Sequence, residues 1–316
     1  MRLPAALLAA SIASIASALL AGCANAPQRG DAHAAVAAAV AIAPCPAKPK
    51  WDDPTAPRHI HGNTWYVGTC SISAILITSE AGHILIDGAI DSAVPGIEAN
   101  IRALGFDPGQ VRYILNSHEH IDHAGGIARL ARDTGARVVA REPAATALER
   151  GKGDRGDPQF LTVAGFAPVP SVQRIGDGDA LRLGALELTA HATPGHTPGG
   201  TSWTWRSCDE AGQCRTVVYA DSLTPFSDKV YRYSDDAAHP GALAAYRRGI
   251  ETVAALPCEI LLTPHPGASD LFERIGPQAS KPLVDTGACR AYAAVGAAKL
   301  DARLEQERAQ PAPAAH

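Results

Sequence analysis

The chain has 316 residues, of which 46% are hydrophobic and 19% charged, and its formal net charge is −4 at pH 7. This length fits one large domain or two modest ones, and the apolar fraction is ample for a sizeable core. The small negative charge and the lack of a basic patch argue against nucleic acid as a partner. The 29 glycines and 24 prolines are typical of a loop-rich α/β enzyme rather than a helical bundle.

The N-terminus has the features of an export signal. Arg2 precedes an apolar run over residues 7–20, which is too short for a comfortable transmembrane span. The run ends in Leu-Ala-Gly-Cys, similar to a bacterial lipobox, which predicts cleavage before Cys23, lipid attachment to it, and anchoring in the outer membrane. The alternative is ordinary cleavage after Ala24 or Ala26, which would release a soluble periplasmic protein.

The composition then divides the chain into a signal peptide, an Ala- and Pro-rich tether, one folded domain and a disordered tail. These segments are residues 1–22, 23–50, 51–308 and 309–316. A flexible tether of this kind behaves as a random coil and contributes no fold of its own.

Cysteine usage supports export. Six of the seven cysteines remain once Cys23 is set aside, and an even number in an exported chain predicts disulfides. Six cysteines allow fifteen pairings, of which sequence distance favours Cys45–Cys70, Cys208–Cys214 and Cys258–Cys289. The middle pair flanks a turn between two predicted strands. The alternative is that some of these thiols are free and buried.

Hydrophobic patterning predicts strands first and then alternating helices and strands. In the first half, strands are expected at 62–68, 72–78, 83–87, 111–115 and 137–140, with helices at 94–104, 126–133 and 143–150. In the second half, strands are expected at 181–183, 186–190, 201–206, 215–220 and 259–262, with helices at 242–255 and 286–308. The polar stretch 151–171 between the halves is long enough to be functional or disordered. We therefore predict an α/β fold of two similar halves, each a sheet covered by helices.

A dense cluster of metal-binding side chains follows the strand at 111–115. His-Glu-His-Ile-Asp-His, from His118 to His123, places three imidazoles and two carboxylates in six residues. In an extended or loop backbone, His118 and His120 leave the chain on the same side and can bind one ion together. Asp122 and His123 can then serve a second ion nearby. Imidazoles with a single carboxylate suit zinc, and the alternative is a polar surface turn that happens to be rich in histidine.

Two further histidines lie in loops that follow predicted strands. A dinuclear zinc centre needs about six protein ligands if each ion keeps a position open, and the cluster supplies four. His196 lies in Pro-Gly-His-Thr-Pro-Gly-Gly and His265 in Thr-Pro-His-Pro-Gly. The flanking Pro and Gly restrict the backbone and allow its close approach. Either histidine alone could be an ordinary loop residue, but together with the cluster we expect one more ligand for each ion.

The chain resembles the metallo-β-lactamase superfamily, whose fold is an αβ/βα sandwich of two mixed sheets, and within it subclass B3. The resemblance covers residues 51–292 and rests on the ligand pattern and four further motifs. The motifs are Asn-Thr-Trp-Tyr-Val-Gly from Asn63, Pro-Gly-His-Thr-Pro-Gly-Gly-Thr-Ser-Trp from Pro194, Tyr-Ala-Asp-Ser-Leu-Thr from Tyr219, and Leu-Thr-Pro-His-Pro-Gly-Ala-Ser from Leu262. The three expected disulfides resemble a small branch of that subclass.

The resemblance implies two zinc ions per chain and a metal-bridging hydroxide that attacks a β-lactam carbonyl. Zinc lowers the pKa of bound water to about neutrality, so that no dedicated base is needed. Asp122 is expected to be both a metal ligand and the catalytic group that orients the hydroxide. The implied ligands are His118, His120 and His196 for the first ion and Asp122, His123 and His265 for the second.

Other positions are expected to support this site. Ser222 and Thr224 follow a strand that should face the metals, and in the family such hydroxyls hold the substrate carboxylate. Asp87, at the end of a strand, is expected to orient the ligand loop without touching the metals. Gln159, in the long loop, is expected in the pocket wall. Asp87 and Gln159 could instead be ordinary loop residues.

Asp221 tests the subclass. Related hydrolases such as glyoxalase II use a bridging Asp in a Gly-Asp-Thr-Leu-like context, and here the context is Ala-Asp-Ser-Leu. Spacing alone would allow Asp221 to be that bridge. The subclass B3 pattern aligns Ser222 instead and leaves Asp221 close to the metals without binding them. A cysteine here would have marked the other main lactamase subclass, and none is present.

The expected activity is hydrolysis of penicillins, cephalosporins and carbapenems in the periplasm, where these drugs meet their targets, so that the protein would confer antibiotic resistance. We expect a monomer with small-molecule substrates. One alternative is a thioester or lactone hydrolase on the same fold. Another is a non-enzymatic zinc-binding or adhesion module, against which the open coordination position expected at each metal argues.

Overall fold

The computed structural model describes residues 44–309. The predicted signal peptide, the expected lipidation site Cys23, the first part of the tether and residues 310–316 lie outside the described residues. Within residues 44–309, every helix is either too short or too polar to cross a bilayer.

Seven strands, β1 to β7, form the first sheet and follow one another in chain order. They span Arg58–His61, Thr64–Tyr66, Ile75–Ile77, His83–Ile86, Val111–Leu115, Arg137–Ala140 and Val172–Arg174. β1 to β4 pair antiparallel, and β4 to β7 pair parallel. Parallel neighbours need crossover connections, commonly helices. The helices of this half are α1 (Val94–Ala103), α2 (Ile121–Ala124), α3 (Ile127–Thr134) and α4 (Ala144–Arg150).

Five strands, β8 to β12, form the second sheet, in the order β12-β11-β10-β9-β8. They span Ala180–Leu183, Leu186–Ala192, Thr201–Cys208, Cys214–Tyr219 and Ile260–Leu262. Only the pair β11–β12 is parallel. The helices of this half are α5 (Ala242–Ala255), α6 (Leu271–Arg274) and α7 (Ala288–Ala309).

The sheets stack face to face because their strands are apolar on both sides. Ile84 and Ile86 of β4 lie in the core between the sheets, whereas Leu85 packs against the helices of the first half. Val217 of β11 lies in the same central core, and Val218 faces the helices of the second half. Successive side chains of a strand point to opposite faces, so each sheet is buried on both. The layers are therefore helix, sheet, sheet, helix, which confirms the predicted αβ/βα sandwich.

Short elements account for the differences from prediction. The strands expected at 62–68 and 72–78 are three residues each, because Thr69 N donates to the Ile72 carbonyl and closes a turn between them. β7 was not predicted, since its single buried side chain, Val172, gives no alternation to detect. The four-residue helix α6 was also missed.

All three predicted disulfides are present: Cys45–Cys70, Cys208–Cys214 and Cys258–Cys289. The first attaches the end of the predicted tether to the domain. The Ser71 hydroxyl reinforces this attachment by donating to the Lys50 carbonyl at 2.8 Å. The third joins the region just before β12 to the start of α7.

Removing the third disulfide should destabilise the domain more than removing the hairpin disulfide. It closes a loop with a sequence separation of 31, for which chain entropy gives about 3–4 kcal/mol. We expect Cys258→Ala/Cys289→Ala to lower the free energy of unfolding in urea by about 3 kcal/mol. Cys208→Ala/Cys214→Ala is the matched control, with a separation of 6 and a calculated loss of about 2 kcal/mol. A larger loss in the control would contradict the entropic account.

Candidate metal centre

Five loops meet at one edge of the sandwich, each at the C-terminal end of a strand. Such strand ends are where α/β sheets place their ligand sites. The loops follow β4, β5, β9, β11 and β12, and they carry Asp87, the run from His118 to His123, His196, the stretch from Asp221 to Thr224, and His265. The topology therefore brings together residues that are far apart in the chain.

His118, His120 and His196 form the first ligand group. All three are buried, and one ligand atom of each lies within 4.8 Å of the others. One nitrogen of each ring has a hydrogen-bond partner, which leaves the other available for a cation. The partners are Asp221 Oδ1 for His118 Nδ1 at 2.7 Å, both Asp157 oxygens for His120 Nε2 at 3.2 Å, and the Thr224 carbonyl for His196 Nδ1 at 2.7 Å.

Ligand atoms of Asp122 and His123 lie within 4.8 Å of one another and of His118, and His265 approaches Asp122 from the loop after β12. Asp122, His123 and His265 are called the second group. Asp122 Oδ2 lies 3.1 Å from His123 Nε2 and 3.4 Å from His265 Nε2. His265 Nδ1 lies 3.1 Å from the Ser71 carbonyl, which orients the ring. The side chain of His265 is 43% exposed, so this group is open to solvent. The structure thus brings all six predicted ligands together in two adjoining groups.

The ligand run contains a short helix that was not predicted, since the helix was expected to begin at residue 126. Asp122 and His123 lie in the single helical turn α2. His120 precedes this turn with an extended backbone, φ −85° and ψ 152°. His118 and His120 therefore keep the same-side arrangement expected of an extended chain. The helical turn directs Asp122 and His123 to the second group.

Unpaired buried nitrogens show that this donor set fits a metal ion. His118 Nε2 and His123 Nδ1 are buried and have no hydrogen-bond partner among the described residues, and His123 Nε2 is buried beside the Asp122 carboxylate without hydrogen-bond geometry. Buried polar groups are normally paired. Several imidazoles with one carboxylate are the ligands that zinc accepts, so the residues present suit the ion that the family implies.

Electrostatics favour neutral imidazoles at His118 and His196 and a charged carboxylate at Asp122, whereas the Asp157 carboxylate raises the pKa of His120 against the effect of burial. Burial, followed by repulsion from His123 and His196, lowers the pKa of His118 well below its usual value. Burial and His120 lower the pKa of His196 to about 3. Burial opposes the ionisation of Asp122, but the nearby His123, with smaller contributions from His265 and His118, lowers its pKa well below the usual range. Neutral imidazoles and an ionised carboxylate are the forms that bind cations.

Asp87, which the sequence predicted to orient the ligand loop, is hydrogen-bonded to that loop. Its carboxylate accepts hydrogen bonds from Ser117 N at 2.7 Å, Ser117 Oγ at 2.6 Å and the Tyr219 hydroxyl at 2.7 Å. Its φ of 62° is uncommon for a residue other than glycine. Burial raises the pKa of Asp87, with these hydrogen bonds acting in the opposite direction. Asp87 thus joins the end of β4 to the ligand loop and to the second sheet.

Asp221 lies against a ligand instead of facing both groups. Its Oδ1 bonds to His118, and a Cβ added at Gly200 would come within 2.5 Å of its Oδ2. Burial raises the pKa of Asp221 well above its usual value. Only glycine at position 200 leaves room for the Asp221 carboxylate.

Two of the three predicted substrate contacts line the same cleft, and the third does not. Ser222 and Thr224 line a cleft of about 300 Å³ together with His265. Gln159 is not among the residues that line this cleft. Its backbone N–H donates to Asp157 Oδ1 at 2.8 Å, so the residue lies beside the first ligand group.

Two buried carboxyl groups at the site were not predicted. Glu119 accepts from Thr197 Oγ1 at 2.7 Å and from Gly199 N at 3.0 Å, and so joins the ligand run to the loop of His196. Asp157 lies against His120. Glu119 sits inside the sequence motif, but its partners are 78 and 80 residues away. Asp157 lies in a loop with no periodic pattern, so no sequence signal marked it.

Glu119→Ala should destabilise the metal-free protein and weaken zinc binding together. The change leaves the Thr197 hydroxyl and the Gly199 N–H buried without an acceptor, at about 1–3 kcal/mol each. We expect the free energy of unfolding in urea to fall by about 2–5 kcal/mol, and zinc affinity, from chelator competition, to fall with it. Glu119→Gln keeps one acceptor and should lose less. Wild-type stability in Glu119→Ala would contradict this role.

Comparison with known proteins agrees with the geometry. The model of the metallo-beta-lactamase superfamily matches residues 67–265. The metallo-β-lactamase MIM-1 from Novosphingobium pentaromativorans is 50% identical, with 82% of this chain and 93% of that chain covered and a TM-score of 0.79. MEM-A1, a subclass B3 metallo-β-lactamase from a soil metagenome library, is 44% identical, with 83% and 100% covered and a TM-score of 0.80.

A likeness to another hydrolase of the superfamily is weaker. The N-acyl homoserine lactonase AttM of Agrobacterium fabrum is 29% identical in an alignment of 217 residues, with 57% of this chain and 74% of AttM covered. The family match, the two adjoining ligand groups and the solved structures lead to one conclusion. The chain belongs to the metallo-β-lactamase superfamily of hydrolases, and its structural neighbours are subclass B3 metallo-β-lactamases.

Proposed function

We propose that the protein is a dinuclear zinc β-lactamase of class B that hydrolyses the lactam amide of penicillins, cephalosporins and carbapenems. The observation that carries the proposal is the pair of ligand groups around His118 and Asp122, in a fold whose solved neighbours at 44–50% identity are metallo-β-lactamases. The groups adjoin, so two ions held there would act on one substrate.

The roles of the residues follow from their placement. When bound, zinc supplies Lewis acidity and a water whose pKa is near neutrality. The first ion would be held by His118, His120 and His196, and the second by Asp122, His123 and His265. The carboxylate of Asp122, kept ionised by its neighbours, accepts a hydrogen bond from the attacking water and orients it.

The loop after β11 contributes both to metal binding and to substrate binding. The Thr224 carbonyl lies 2.7 Å from His196 Nδ1, while Ser222 and Thr224 line the cleft beside His265. Their hydroxyl groups can donate to the carboxylate of a β-lactam. A single short segment would therefore contact both the substrate and one of the metal ligands.

The second candidate is a lactone or thioester hydrolase, which the likeness to AttM supports. The same metal chemistry would serve an ester carbonyl. A bridging Asp at position 221 would favour this class, but here the carboxylate of Asp221 bonds to His118 and lies against Gly200. This arrangement favours the β-lactamase.

Export fits the proposed substrates. We propose that the mature protein acts in the periplasm, either lipidated at Cys23 or released as a soluble protein. The three disulfides support an oxidising compartment. The mass of the mature N-terminal peptide distinguishes the two forms.

The zinc-loaded, oxidised protein should turn over nitrocefin, because the lactam carbonyl is the group that the metals would polarise. A chelator should reduce turnover to background, and added zinc should restore it. Parallel assays on S-lactoylglutathione and an acyl-homoserine lactone are the comparison. Faster hydrolysis of either with no nitrocefin turnover would establish the second candidate, and tight zinc binding without any hydrolysis would leave a binding module.

Removing the hydroxyl groups of Ser222 and Thr224 should weaken substrate binding. A hydrogen bond to a charged group contributes about 1.5–3 kcal/mol, so we expect Ser222→Ala/Thr224→Val to raise KM by about tenfold or more. The control is the methyl ester of the same cephalosporin, which lacks the carboxylate charge and should show little change in KM. An equal rise for both substrates would mean that these residues do not bind the carboxylate.

A further inference from the structure

The loop of residues 151–171 contacts the first ligand group through one buried side chain. Asp157 places both carboxylate oxygens 3.2 Å from Nε2 of His120, and the two side chains are 2% and 4% exposed. We propose that Asp157 is a positioning residue for the first metal ion, and that it couples the binding of this ion to the fold of the loop. The inference rests on the proposed function, because it requires that His120 is a metal ligand.

His120 differs from the other ligands of its group in the nitrogen that it leaves available for a metal ion. His118 and His196 have their Nδ1 atoms paired and leave Nε2 available, whereas His120 has Nε2 paired and leaves Nδ1 available. A neutral imidazole carries one proton, and its partner decides which nitrogen holds it. An Nε2–H that donates to Asp157 leaves the lone pair on Nδ1. The negative charge also makes the ring a stronger electron donor to a metal.

The same carboxylate organises the loop. Asp157 Oδ1 accepts from Gln159 N at 2.8 Å, and the Asp157 carbonyl accepts from Phe160 N at 3.1 Å. The Phe160 ring lies under the cations of Lys152 and Arg155, at 4.6 and 5.1 Å. The segment 152–160 is thus a compact turn built around Asp157. An interaction that keeps Asp157 against His120 therefore also stabilises this turn.

The two ligand groups differ in the hydrogen-bond partners of their histidines. In the first group, His118 and His120 each pair with a buried carboxylate, Asp221 or Asp157. In the second, His265 pairs with a backbone carbonyl and is partly exposed. Removing Asp157 should therefore affect the first metal ion and leave the second group intact.

The test measures zinc binding and loop cleavage in the full chain with its disulfides. Zinc affinity of the metal-free protein is obtained by chelator competition, and loop order from trypsin cleavage after Lys152 and Arg155 with and without zinc. The variants are Asp157→Ala and Asp157→Asn. Asp154→Ala is the matched control, since Asp154 lies in the same loop and its side chain accepts only from Gly156 N, at 2.8 Å, among the described residues.

We expect Asp157→Ala to weaken the binding of one zinc ion by about 10- to 100-fold, as for other groups that support metal-bound histidines. Asp154→Ala should stay within about twofold of the wild type, because its carboxylate touches no ligand. Zinc should slow cleavage in the wild type and in Asp154→Ala, but not in Asp157→Ala. Asp157→Asn keeps an acceptor oxygen and loses the charge, so its loss of affinity should be intermediate.

Unchanged zinc affinity in Asp157→Ala, with faster cleavage, would overturn the proposal and reduce Asp157 to a residue that caps a turn. If Asp157→Ala does not fold, Asp157→Asn decides the matter, and wild-type zinc affinity in that variant overturns the proposal. These readouts do not use turnover. A wild-type protein that binds zinc but hydrolyses no β-lactam defeats the proposed function, while the affinities of the variants still decide the role of Asp157.

Discussion

The site depends on a buried carboxylate that links both sheets. Asp87 ends β4 of the first sheet and accepts hydrogen bonds from Ser117, in the ligand loop, and from Tyr219, at the end of β11 in the second sheet. A buried carboxyl group without partners is strongly unfavourable, so these hydrogen bonds favour the arrangement in which the three segments pack together. One side chain thereby bridges the two sheets at the metal edge.

Three further buried acids form hydrogen bonds that support individual metal ligands or their loops. Asp221 holds His118, Asp157 holds His120, and Glu119 ties the ligand run to the loop of His196. Each acid comes from a different part of the chain than the group it bonds. Hydrogen bonds to the second nitrogen fix the orientation of a ligand ring. The fold itself therefore orients His118 and His120.

The same superfamily contains hydrolases of lactones and thioesters, and the metal ligands alone do not separate them. We expect the residues around the metal ligands to distinguish these hydrolases from one another. Here Asp221 is hydrogen-bonded to His118, and Ser222 and Thr224 line the cleft beside His265. Under the proposed function, the hydroxyl groups in this cleft suit a substrate with its own carboxylate. The proposed specificity therefore rests on the loop after β11.

The metal chemistry could be predicted from sequence because the run His118 to His123 is local. Four donors in six residues need no tertiary information to be recognised, and the loops of His196 and His265 carry local Pro and Gly signals. The layered fold was equally predictable, since the burial of both faces follows from the apolar residues 84–86 of β4 and 217–219 of β11. The disulfides followed from spacing and from the expected compartment.

The choice of ligand nitrogen, the position of Asp221 and the contribution of Asp157 and Glu119 were decided only in three dimensions. Each depends on a hydrogen bond between residues dozens of positions apart, and His118 and Asp221 are separated by 103. Hydrogen bonds of this kind leave no periodic pattern in the chain, because they require only one suitable atom at each end. Local patterns therefore indicate which groups can bind a metal. The packing of distant loops determines how those groups are oriented.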